Sequence, residues 1–128
     1  MNEPATSPAS LIAEVRRLID TVTTPSQGVW ARSAALLARQ ALEAAVRVKL
    51  DAYSTGLDNA PFRAQLLCLQ GVIGDNDVAR DANYLWSALS SATHHSGYEL
   101  APTAADLREW VAGVERVVGV LERRAGVG

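Results

Sequence analysis

Two adjacent histidines are the residues of this sequence best suited to chemistry, because histidine transfers protons near neutral pH. His94 and His95 lie in the segment DVARDANYLWSALSSATHHSGYELAP (77–102), where a predicted helix gives way to a loop. On a helix, Ser90 and His94 are neighbours four residues apart, and so are Ser91 and His95. This spacing favours an acid-base site in which a serine hydroxyl assists a histidine ring.

The competing interpretation of the two histidines is structural. One ring would cap the C-terminus of the helix, and the other would pack against Trp86 or Tyr98.

A nucleophilic triad needs an orienting acid and an oxyanion hole. Of these, the segment offers only an acid, Glu99. Adjacent side chains on a helix point about 100° apart, which disfavours a shared metal ion. We therefore expect neither a metal nor another cofactor.

Two sets of charged residues have helical spacing. Asp77, Arg80, Asp81 and Tyr84 form a polar stripe at i, i+3, i+4 and i+7. In this stripe Arg80 could bind a phosphate, or the stripe could be a solvated face of salt bridges.

The second set is Arg39, Glu43 and Arg47, spaced for a ladder of ion pairs along one helix face. This ladder would be functional if it lined a groove. The candidate catalytic residues are His94, His95 and Arg80, and the candidate ligand-binding residues are Arg39, Glu43, Arg47, Asp81 and Tyr98.

Composition limits the classes of function. The chain has 128 residues, enough for one domain, and a formal net charge of −2. That charge argues against a broad, non-specific nucleic-acid surface, but it leaves room for a local basic patch. Lys49 is the only lysine among the 12 basic residues.

The single cysteine, Cys68, lies in an apolar run, 66–69, so we predict a buried structural thiol. A reducing, cytoplasmic location fits this cysteine usage. The chain has no apolar run long enough to cross a bilayer, and its polar N-terminus does not resemble a secretory signal. We therefore expect no membrane partner.

Apolar periodicity and turn residues predict an all-α protein, a compact bundle of four to five helices. A flexible tail is expected over residues 1–10 and a single domain over 11–126. The predicted helices are Pro8–Val22, Gln27–Tyr53, Pro61–Ile73, Asp77–Thr93 and one that follows Thr103. Alternatively, the third and fourth helices form one kinked element. The alanines of the second helix predict a central position, and Thr103 with Asp106 predicts an N-terminal cap for the last.

The runs WARSAALLARQALEAAVRVKL (30–50) and LWSALSSATHH (85–95), followed by a final amphipathic helix, resemble HEPN domains. The resemblance covers about 11–121 and implies a helical bundle that often forms a homodimer. Many members of that family are metal-independent ribonucleases that use an arginine closely followed by a histidine. His94 or His95 would match the family histidine. The nearest upstream arginine is Arg80, roughly 21 Å from His94 along one helix, so the family motif is not intact.

The resemblance therefore leads us to expect a HEPN-like, non-catalytic module of a prokaryotic stress or defence context. It would form a homodimer and bind RNA, a nucleotide or another protein. One alternative is a divergent metal-independent ribonuclease that uses His94 or His95, with Arg80 supplied across the dimer. Another alternative is a subunit of a larger complex, which would expose an apolar patch.

Overall fold

A computed structural model describes residues 7–21, 29–53, 60–94 and 102–125. Within these ranges the chain forms five helices and no strand, which confirms the predicted all-α bundle. The helices are α1 (Pro8–Thr21), α2 (Val29–Asp51), α3 (Phe62–Ile73), α4 (Asn76–Thr93) and α5 (Ala104–Ala125). Most of the predicted tail, residues 1–6, and the predicted break at 23–26 lie outside the described residues.

Helix α2 is the centre of the bundle, as its alanines predict. It packs against each of the other four helices. Its alanines face these neighbours and have almost no exposed surface: Ala31, Ala34, Ala35, Ala38, Ala41 and Ala45. Because a methyl group takes little space and alanine is the best helix former, one long helix can contact four partners closely.

Apolar side chains spaced three and four residues apart form a buried seam along α5. Leu107, Val111, Val114, Val117, Val118 and Leu121 are its buried residues. Burying one such side chain stabilises the fold by about 1.5–3 kcal/mol. The N-terminus of α5 has the predicted cap, because the Asp106 amide donates to Thr103 Oγ1 at 3.0 Å and the Thr103 amide donates to Asp106 Oδ2 at 3.1 Å.

Helices α3 and α4 are two separate helices joined by a tight turn. Gly74 ends α3 in the left-handed region, at φ 66°, and its amide donates to the carbonyl of Gln70. Glycine adopts this conformation without strain. Asp75 caps α4 by accepting from the amides of Asp77 and Val78. The turn makes α3 and α4 an antiparallel pair, which positions the groove described below.

Cys68 is exposed, so the prediction of a buried thiol is wrong. Helix α3 packs chiefly on α2 and α4, and it buries Phe62, Leu66, Leu69 and Ile73 on that side. Side chains on the opposite face of the helix point away from the bundle. Cys68 occupies one of these outward positions, as does its neighbour Leu67.

Candidate functional site

The ladder predicted on α2 is present. Glu43 Oε2 lies 3.6 Å from Arg39 Nε, and Glu43 Oε1 lies 3.9 Å from Arg47 Nη2. The side chain of Glu43 is only 16% exposed. Because water screens this carboxylate poorly, its attraction to the two guanidinium groups is stronger than that of a surface pair.

Two further helices bring aromatic and basic groups to the ladder. Trp86 of α4 donates its indole N–H to Glu43 Oε2 at 3.0 Å. Its ring packs against Phe62 of α3, with the centroids 5.5 Å apart. The guanidinium carbon of Arg63 lies 5.2 Å from the centroid of the Trp86 ring, a cation–π distance. We call Arg39, Glu43, Arg47, Arg63 and Trp86 the arginine cluster.

The arginine cluster has an excess of positive charge, since it contains three guanidinium groups and one carboxylate. Arg39 and Arg47 lie beside Glu43, and Arg63 lies over the Trp86 ring. Arg47 and Arg63 are exposed, whereas Arg39 is half-buried. The Nε atom of Arg39 is buried and has no hydrogen-bond partner among the described residues. Guanidinium groups bind phosphate and carboxylate oxygens through paired hydrogen bonds. The chemistry of this arrangement is therefore anion binding.

An open groove of about 480 Å³ runs between α3 and α4. The α3 wall consists of Arg63, Leu66, Leu67 and Gln70. The α4 wall consists of Asn76, Ala79, Arg80 and Asn83. Arg63 belongs to both the groove and the arginine cluster, so the two features form one continuous surface. The volume lies within the range of roughly 300–1,000 Å³ that is usual for ligand sites.

The polar stripe on α4 is a solvated face. Arg80 Nη2 lies 3.4 Å from Asp77 Oδ1, and the two side chains are 74% and 83% exposed. A pair this exposed holds Arg80 only weakly. Asp81 and Tyr84 are also exposed, and neither lines the groove. Of the stripe, only Arg80 adjoins a site.

Of the predicted catalytic residues, His94 and Arg80 are described, and these two lie far apart within one chain. His94 is the exposed residue that ends α4, and its amide donates to the carbonyls of Ser90 and Ser91. Ser90 Oγ is buried and has no hydrogen-bond partner among the described residues, so it does not assist the histidine ring. Arg80 lies on the same continuous helix, roughly 21 Å from His94. His95 and Tyr98 lie outside the described residues.

The described part of the chain contains neither a cluster of metal-ligating side chains nor a helix that could span a membrane. Within residues 7–21, 29–53, 60–94 and 102–125, no three His, Cys, Asp or Glu side chains lie close enough together to hold a metal ion. None of the five described helices has both the length and the apolar character required to cross a membrane.

Sequence reasoning missed Trp86 and Arg63, which complete the arginine cluster. Trp86 was considered only as a packing partner for a histidine ring, and its hydrogen bond to Glu43 joins residues 43 positions apart. The sequence signal for this contact was the indole N–H of Trp86, because a buried indole N–H usually finds an acceptor.

No protein-family model, curated protein or solved structure matches the chain. The arginine cluster and the groove are therefore the features that bear on function.

Proposed function

We propose that this protein is a HEPN-like, non-catalytic module that binds RNA through the arginine cluster. The observation that carries the proposal is the gathering of Arg39, Arg47 and Arg63 around Glu43 and Trp86. Three guanidinium groups from two helices provide several positions for phosphate oxygens.

RNA fits this surface better than duplex DNA. A chain with a net charge of −2 lacks the basic excess needed to bind duplexes indiscriminately. Single-stranded RNA is bound by arginines on its phosphates and by bases stacked on aromatic rings or guanidinium planes. Arg63 lies over the half-buried Trp86 ring and offers such a plane at the surface.

We propose a non-catalytic module because of the positions of the groups that could transfer protons. Among the described residues the one histidine, His94, is eight positions beyond Trp86 on α4, roughly 12 Å along the helix. The carboxylate oxygens of Glu43 are engaged by the indole N–H of Trp86 and lie beside the guanidinium groups of Arg39 and Arg47.

A homodimer in a prokaryotic stress or defence context belongs to the same proposal, because the HEPN resemblance implies it. Large apolar side chains available for a subunit contact include Val48, Tyr53 and Tyr84, all of which are exposed. Sedimentation equilibrium of the purified protein checks this part. A mass of two chains is expected, and a monomer at all concentrations would contradict it.

The binding proposal is tested by fluorescence anisotropy with a labelled single-stranded RNA at low salt. We expect Arg63→Ala to weaken binding about tenfold, because one charge-assisted contact of about 1.4 kcal/mol is lost. The matched control is Arg108→Ala, which removes an exposed arginine that pairs with Asp20 between α5 and α1. A folded wild type without RNA affinity would refute the proposal.

A divergent metal-independent ribonuclease is the second candidate, and the exposure of His94 at the end of α4 favours it. The test is RNA cleavage in excess chelator, with a His94→Ala/His95→Ala double variant as the comparison. Cleavage by the wild type that is lost in the folded variant would place an active site there. Binding without cleavage supports the non-catalytic module.

A further inference from the structure

The groove between α3 and α4 is complementary to a negatively charged ligand. Arg63 and Arg80 stand on its opposite walls, and none of the described residues that line it is acidic. Asp77 pairs with Arg80 from the solvent side, but both side chains are too exposed for this pair to hold the guanidinium firmly. An incoming carboxylate can therefore take over the Arg80 contact at little cost.

The groove also has an apolar surface that lacks a cover. Leu66 and Ala79 form its buried floor, whereas Leu67 stands on the rim with 73% of its surface exposed. An apolar side chain of a ligand that packs on Leu67 would remove this surface from water, which is favourable. The ligand is therefore expected to bring an apolar side chain as well as negative charge.

One end of the groove can pair with a peptide group. Gln70 Nε2 donates to Asn76 Oδ1 at 2.9 Å across the α3–α4 turn. Whichever way the two amides are oriented, one carbonyl oxygen and one NH₂ group remain free for a ligand. A backbone peptide unit presents the matching N–H and C=O groups.

The length of the groove along α3 matches that of a short extended peptide segment. Arg63 and Gln70 are seven residues apart on α3, which corresponds to about 10 Å. An extended chain covers this length with about three residues, at roughly 3.3 Å each.

We infer that the groove between α3 and α4 binds an extended acidic peptide segment of a protein partner. An apolar side chain of the segment covers Leu66, Leu67 and Ala79, and carboxylates on either side of it pair with Arg63 and Arg80. The peptide backbone meets the Gln70–Asn76 amide pair. This site is separate in function from RNA binding, although the two share Arg63, so the two ligands compete.

The proposal favours a peptide over a nucleic-acid strand for this groove. A strand could place phosphates on Arg63 and Arg80, but it carries no aliphatic side chain to cover Leu67. A free carboxylate or phosphate would leave both the apolar surface and the amide pair unused.

The test is anisotropy with a fluorescein-labelled peptide, Asp-Glu-Leu-Glu-Asp, and with two controls in which alanine replaces the leucine or lysine replaces every acidic residue. Binding by the parent peptide is expected to exceed that by either control at least tenfold. On the protein side, Arg80→Ala and Leu67→Ala should each weaken the parent peptide about tenfold or more. Arg108→Ala, away from the groove, should leave it unchanged.

Three results would overturn the inference. The first is no binding at millimolar peptide. The second is equal binding of the parent peptide and the alanine control. The third is an Arg80→Ala variant that loses RNA affinity as strongly as Arg39→Ala, because the groove would then belong to the RNA site. RNA affinity that survives Arg80→Ala, together with lost peptide affinity, is the expected pattern. Absence of RNA binding by the wild type would refute only the RNA proposal.

Discussion

Replacing Glu43 by glutamine removes the one carboxylate of the arginine cluster while keeping an oxygen that can accept from Trp86 Nε1. The wild-type hydrogen bond is 3.0 Å long and has a charged acceptor. Bonds to charged groups contribute about 1.5–3 kcal/mol, and neutral ones about 0.5–1.5 kcal/mol. Loss of the half-buried ion pairs to Arg39 and Arg47 adds up to about 1 kcal/mol. We expect Glu43→Gln to lower the free energy of unfolding by about 1–2 kcal/mol.

The same substitution should strengthen RNA binding. In the wild type the Glu43 carboxylate competes with phosphate for Arg39 and Arg47, and glutamine does not. We expect RNA affinity to rise about threefold to tenfold, equivalent to about 0.7–1.4 kcal/mol. A variant that is less stable but binds RNA more tightly would show that the Glu43 charge stabilises the fold and weakens RNA binding.

Two assays decide this prediction. Urea unfolding followed by circular dichroism gives the change in stability, and anisotropy with labelled RNA gives the change in affinity. Glu43→Ala serves as the comparison, since it removes the acceptor of Trp86 and should cost about 3 kcal/mol. A Glu43→Gln variant that loses stability and RNA affinity together would show that Glu43 orients the arginines, and the competition argument would be refuted.

Three further predictions concern the fold. Leu69→Ala in the fully buried core should lower the free energy of unfolding by about 2–5 kcal/mol. Leu67→Ala, on the exposed side of the same helix, should change it by less than about 0.5 kcal/mol. Equal urea midpoints for the two variants would contradict the assigned faces of α3. Gly113→Val should cost about 1–3 kcal/mol, because a Cβ at Gly113 would lie 2.9 Å from Leu85 Cδ2. A thermal midpoint at or above the wild type would disprove that close approach. Thr103→Ala should cost about 1 kcal/mol through loss of the α5 cap, and an unchanged unfolding midpoint would count against the capping hydrogen bonds.

Local features of the fold were predictable because they depend on neighbours in sequence. The seam of α5 follows from its apolar period, and the Thr103 cap follows from an acidic residue three positions later. The break between α3 and α4 was one of two alternatives, the other being a single kinked element, and Gly74 and Asp75 form it. Each of these features is decided within one or two helical turns.

Features that depend on the packing of distant segments were not predictable. Residues 66–69 are all apolar, so the sequence does not indicate which side of α3 faces the bundle, and Cys68 was misassigned. The ladder from Arg39 to Arg47 was predictable from its i, i+4 spacing, but its junction with Trp86 and Arg63 was not. That junction requires the relative positions of three helices, which no local pattern encodes.

The salt dependence of RNA affinity shows whether the arginine cluster binds RNA phosphates. The measurement compares the wild type with an Arg39→Ala/Arg63→Ala double variant over a range of salt concentrations. Each phosphate contact on a single strand contributes about 0.7 to the slope of log affinity against log salt. We expect a slope shallower by about 1.4 in the double variant, together with weaker binding. Equal slopes and equal affinities in two folded proteins would contradict it.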